Sequence, residues 1–317
     1  MKHLGEMLTA MVTPFNEDLS VNYGTAAVLA EKLIEEGSDG IVVAGTTGES
    51  PTLSTEEKIS LFKKVREAVG TKGTVVAGTG SNNTKGSVEL SKAAEDAGAD
   101  GILVVAPYYN KPPQEGLYEH FGMIAQSVKI PVILYNIPGR TGININPDTI
   151  ERLYRDFPNI VGVKDATGNM DQATEVALRT RAYAGVGDKV AVVSGSAPSG
   201  QPEGRKFRIY SGDDSLTLPV MACGGTGVIS VTSHIAGPQM KRMIVSYFEG
   251  KVEEARAIQW ELFNLFKTLF MTTNPIMMKE ALNLKGLSVG GLRPPLVNAT
   301  EEQREKLRSV MKELKML

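Results

Sequence analysis

A single cysteine, Cys223, stands in a chain of 317 residues, so no disulfide can form within it and no multi-cysteine zinc site can be built. Histidine is almost as scarce. His3, His120 and His234 are scattered, which makes a histidine-built metal centre a poor expectation. An excess of one charge is missing too. Basic residues number 34 and acidic ones 36, a formal net charge of −2 with a pI near 6.0, and that field draws neither nucleic acid nor an acidic membrane. No apolar run is long enough for a membrane span, and the first thirty residues carry no apolar signal core. The expectation is a reduced, cytoplasmic protein without metal. Hydrophobic residues at 42% and charged residues at 22% exclude a disordered chain.

Glycine is plentiful, with 33 residues, many just after short apolar runs. Those runs are Met7 to Thr13, Gly40 to Ala44, Thr74 to Ala77, Gly101 to Ala106, Pro131 to Tyr135, Ile160 to Lys164, Phe207 to Tyr210 and Gly227 to Val231. They are continuous and mostly β-branched, as parallel strands buried on both faces are. Helical spacing fills the gaps. Asn22 to Glu36 ends at Gly37, Thr84 to Ala97 ends at Gly98, and Ser54-Thr55-Glu56-Glu57 is a capping box. Eight such steps over about 240 residues fit a closed (β/α)8 barrel, a TIM barrel, better than a six-stranded doubly wound sheet. After Pro238 only helices are expected, at about 239–249, 251–270, 275–284 and 301–315. The division is therefore a barrel over 1–237 and, over 238–317, the last barrel helix with a helical C-terminal extension.

Catalytic groups of such barrels sit just past the C-terminal ends of the strands. That rule selects Thr46, Thr47, Tyr108, Tyr109, Tyr135, Arg140, Lys164, Asp213 and Asp214. Lys164 is the unusual one, because it ends an otherwise apolar strand. Alternation places it on one face with Gly162 and Ile160. It is either a solvated strand end or an inward amine. Burial disfavours an ammonium, and a neutral amine attacks carbonyls to form a Schiff base. The turn Gly45-Thr46-Thr47-Gly48-Glu49 is rich in donors for a carboxylate. Tyr135 ends the neighbouring strand and can both donate and accept a proton, the alternative being a core or rim aromatic. Arg140 can grip a second carboxylate, the alternative being a surface residue. Asp213 and Asp214 read as helix caps and rim acceptors. Lys111 and Lys279 read as rim or helix residues.

GTTGES at 45–50, PYYNKP at 107–112, YNIPGRTG at 135–142, VGVKDATG at 161–168, SGDD at 211–214, GVISVTS at 227–233 and TNPIMMK at 273–279 occur in order along nearly the whole chain. Together they resemble the dihydrodipicolinate synthase family, class I aldolases of the N-acetylneuraminate lyase superfamily. The resemblance implies a lyase of lysine and diaminopimelate biosynthesis that condenses pyruvate with L-aspartate 4-semialdehyde. It implies that Lys164 forms an imine with pyruvate, without a metal or organic cofactor. Tyr135, Thr46 and Tyr109 match the proton-transfer triad, with Tyr109 reaching into a neighbouring subunit's site. Thr46 and Thr47 match the pyruvate-carboxylate binders. Arg140 matches the receiver of the aldehyde's carboxylate, and Ile229 a residue whose backbone carbonyl lines the pocket. A homotetramer of tight dimers is implied as well. N-acetylneuraminate lyase and keto-sugar-acid aldolases are the rivals. A catalytically silent regulator on the same scaffold is the reading from another class.

Two departures from the family pattern stand out. Asp165 to Ala182 reads as the helix after strand six, and about 184–206 then forms an inserted hairpin or loop expected on the face of the barrel away from the active site. Gly86 stands where lysine-inhibited members carry an acidic residue, and Thr55 and Lys58 stand at the usual basic or aromatic positions, while Asn82 and Tyr108 are retained. Feedback by lysine is expected to be weak.

Overall fold

A computed structural model describes residues 3–180 and 206–317. Among these, eight parallel strands close into a barrel in sequence order, β1-β2-β3-β4-β5-β6-β7-β8. They are β1 Met7–Ala10, β2 Gly40–Val43, β3 Thr74–Gly78, β4 Gly101–Val105, β5 Val132–Asn136, β6 Ile160–Asp165, β7 Arg208–Ser211 and β8 Gly227–Ser230. The helices are α1 Tyr23–Glu35, α2 Thr55–Val69, α3 Thr84–Asp96, α4 Gln114–Ser127, α5 Pro138–Thr141, α6 Pro147–Asp156, α7 Met170–Thr180, α8 Thr217–Ala222 and α9 Ser233–Phe248. Three more follow among the described residues, α10 Val252–Leu269, α11 Ile276–Leu284 and α12 Glu301–Glu313. The barrel and the helical extension agree with the sequence reading. The expected insertion at 184–206 falls almost wholly outside the described residues.

Both faces of β1, β2, β3, β5 and β8 are buried throughout, which explains the continuous apolar runs. Leu8, Val42, Val76, Leu103, Ile133, Tyr210 and Ile229 form an inner cluster, while Ile41, Val75, Ile102 and Val132 join the outer core against the helices. The capping box forms as expected, with Ser54 and Glu57 each satisfying the other's backbone amide.

Three local expectations need correction. The pairing of β5 with β6 shifts register between Val132 and Ile133. Ile160 therefore belongs to the outer core with Val163 and does not share a face with Lys164. The helix after β6 begins only at Met170, because the Asp165 carboxylate accepts from the Thr167 amide and hydroxyl and holds a turn there. The helix after β8 begins at Ser233, ahead of Pro238. A kink at Ala236 (φ −133°) puts that proline in the first turn after the break, where its missing amide costs little.

Candidate active site

The C-terminal ends of β2, β3, β4 and β5 surround a cavity of about 280 Å³. Thr46, Tyr108, Tyr135 and Arg140 line it, together with Gly78, Gly80 and Lys58. Glycine is required at Gly78, where a Cβ would stand 2.4 Å from the carbonyl oxygen of Ala44. The strand ends can thus approach closely enough to shape the mouth.

The turn after β2 is tightly folded. Ala44 and Glu49, at its two ends, take positive φ of 53° and 55°, a conformation that L-residues adopt only where the surroundings enforce it. Inside it, Gly48 and Ser50 donate to the Gly45 carbonyl, and Glu49 donates to that of Thr46. Thr13 donates to the Gly48 carbonyl at 2.6 Å. These bonds use the amides of Gly48, Glu49 and Ser50 as well as the carbonyls, so the donors left to a ligand are the amides and hydroxyls of Thr46 and Thr47. Thr47 is buried, and its hydroxyl accepts from the Asn274 side-chain amide at 2.9 Å. That leaves the Thr47 O–H free to donate elsewhere.

Lys164 is buried, at 5% exposure. Tyr135 of β5 is its register partner, and the Lys164 ammonium sits 4.4 Å from the centre of that ring. The structure therefore selects the inward orientation for the lysine. Lys164 is not part of the cavity wall itself but stands directly against Tyr135, which is. Ile229 lies in the inner cluster with Tyr135 and likewise outside the wall.

Arg140 lies in α5, on the loop after β5. Asn136, fully buried, holds that loop by accepting from the Ile145 amide and donating to the Asn144 side chain. Arg140 donates to the backbone carbonyl of Asn274 at 3.4 Å. Tyr109 stands apart from these groups. It is 89% exposed with φ of 73°, on the outside of the protomer. Asp213 acts as the cap read from the sequence, while Asp214 is buried behind the rim. Asp213 caps a short 3-10 turn, and buried Asp214 accepts from the amides of Val231 and Thr232.

Sequence reasoning missed the contribution of the C-terminal extension. Lys279, expected at the rim or on a helix, is on α11 but fully buried, with its ammonium 2.7 Å from the Glu49 carboxylate. Burial pushes that ammonium down to about 8, against the pull of Glu49. Asn274 was missed because nothing in its local sequence tells that it reaches the turn after β2.

A model of the Dihydrodipicolinate synthetase family matches residues 3–197 and 199–314. The chain belongs to this family. A 4-hydroxy-tetrahydrodipicolinate synthase of Desulforamulus reducens is 51% identical over 313 residues, covering 99% of this chain and 98% of the relative. One of Cyanothece sp. is 50% identical over 318 residues, covering all of both chains. The crystal structure of the Cyanidioschyzon merolae dihydrodipicolinate synthase, solved with lysine bound, superposes with a TM-score of 0.90 at 43% identity and covers all of both chains. The (β/α)8 barrel with its helical extension is thus the architecture of the dihydrodipicolinate synthetase family.

Proposed function

We propose that this protein condenses pyruvate with L-aspartate 4-semialdehyde to 4-hydroxy-tetrahydrodipicolinate, through a Schiff base on Lys164. The observation that carries the reading is the in-register pair of Lys164 and Tyr135 beside a cavity that also holds Thr46 and Arg140. Lys164, as the neutral amine, adds to the pyruvate ketone while Thr46 and Thr47 hold the carboxylate. The carbinolamine loses water to give the imine, and Tyr135, with Thr46, carries the protons. The imine withdraws electrons from the methyl group, which loses a proton to give the enamine. That carbon attacks the aldehyde, whose carboxylate Arg140 orients. The amine of the adduct then displaces Lys164 as the ring closes. The imine is the electron sink, so no metal or organic cofactor enters the chemistry.

Tyr109, exposed in one protomer, reaches the site of a second copy in this reading, and the assembly is a homotetramer of tight dimers. The place of action is the cytoplasm. A sugar-acid aldolase would share Lys164 but have no use for an arginine facing the second substrate. The test is turnover with pyruvate and either L-aspartate 4-semialdehyde or an N-acetylated amino sugar. Consumption of the semialdehyde alone is expected, and preference for the sugar would reassign the second substrate.

A further inference from the structure

The Glu49–Lys279 pair lies outside the reacting groups, yet its geometry bears on them. Glu49 is the last residue of the turn that carries Thr46 and Thr47, and it holds a left-handed backbone conformation. Its side chain is 1% exposed and that of Lys279 2%, so neither charge is relieved by solvent. One carboxylate oxygen meets Lys279 at 2.7 Å, and the other accepts from the Arg293 amide at 3.0 Å. The Lys279 ammonium also donates to the Gly291 carbonyl at 2.6 Å and sits 3.9 Å from the centre of the Phe15 ring. The Arg293 guanidinium lies against the same ring and pairs with Glu57 of α2.

Every partner of the Glu49 carboxylate therefore comes from the segment after α10. Asn274 adds a second link from that segment, directly to the Thr47 hydroxyl. A buried ion pair is a costly way to fill a core, since apolar residues of similar volume stabilise as well or better. What it supplies is a fixed distance and direction. We propose that Glu49 and Lys279 are positioning residues that lock the turn of Thr46 and Thr47 in register, so that the C-terminal extension sets the affinity for pyruvate. This rests on the reading that the turn holds the pyruvate carboxylate.

The test compares Lys279→Met, Glu49→Gln and the neutral double variant E49Q/K279M with the parent and with Thr47→Ala, in full-length protein. Measured are the KM for each substrate, kcat and the unfolding midpoint. The double variant leaves no lone buried charge, so it keeps the test open if Lys279→Met fails to fold. The expected result is a pyruvate KM raised about tenfold in the double variant, with kcat and the aldehyde KM within about threefold of the parent's. A role confined to stability would move the midpoint and leave the pyruvate KM alone. A pyruvate KM within about twofold of the parent's in both E49Q and the double variant, while Thr47→Ala raises it, would overturn the inference. Should Thr47→Ala leave the pyruvate KM unmoved as well, the assignment of the turn falls, and this inference with it.

Discussion

The Lys164 ammonium lies 4.4 Å from the centre of the Tyr135 ring, across a β5–β6 register in which the two residues are direct partners. The ring's electron-rich face replaces part of the hydration that the lysine loses on burial. The ring and the hydroxyl of Tyr135 thus have separable parts in the proposed reaction, packing for the ring and proton transfer for the hydroxyl. Tyr135→Phe keeps the ring and removes only the hydroxyl. Imine formation with pyruvate is expected to slow about a hundredfold or more, with the unfolding midpoint unchanged. Stopped-flow or quenched borohydride trapping measures it, and an unaltered rate would take the relay role away from Tyr135.

Arg140 faces the cavity from an exposed position on α5 and holds no ion pair among the described residues. Its guanidinium is therefore available to a carboxylate ligand. Arg140→Ala is expected to raise the KM for L-aspartate 4-semialdehyde by about ten- to a hundredfold, the worth of a hydrogen bond to a charged group. Pyruvate trapping should persist. Steady-state kinetics in which only the pyruvate term weakened would reassign Arg140.

Two buried histidines set an acid limit to stability. Burial pushes His120 and His234 down to about 4 from the usual 6.5. His234 accepts from the Val12 amide through Nε2, with Nδ1 2.7 Å from the Val231 carbonyl, so the neutral ring is the one that fits. Between about pH 6.5 and 4 the unfolded chain binds protons that the folded chain refuses, so these two groups lower stability as pH falls through that window. Each pKa unit is worth about 1.4 kcal/mol. Urea unfolding from pH 7 to 5 should show this loss, and His120→Gln should reduce its slope. A slope unchanged in that variant would remove His120 from the account.

Feedback by L-lysine is expected to be weak. An amino-acid ammonium needs a carboxylate, and Gly86 on α3 supplies none. Glu89, one turn on, is exposed and lies 3.9 Å from Lys85. Lys58, half-buried on the cavity wall, adds a like charge instead. An inhibition constant for L-lysine below about 1 mM would contradict this.

The barrel was legible because its strands are continuous apolar runs, most ending in glycine or a polar turn, and the first six recur about every thirty residues. Lys164 was legible as a candidate because a lysine at the end of IVGV is costly unless it has a task. Its inward orientation follows in the structure from a register shift at Val132 and Ile133, which period-two counting from Ile160 does not anticipate. The link from Asn274 to Thr47 spans 227 positions, and that from Lys279 to Glu49 joins the same distant segments. Such contacts depend on where α11 docks, which no local pattern encodes. A lysine in a helix with apolar neighbours also looks like any snorkelling side chain until its partner is placed.

Lys164 is proposed as the amine that forms the imine with pyruvate. Incubation with pyruvate, reduction by borohydride and peptide mass spectrometry test it most directly. One reduced pyruvyl group per chain is predicted on Lys164, and none on the Lys164→Ala variant. A stable adduct on Lys111 or Lys279 with Lys164 unmodified would contradict the account.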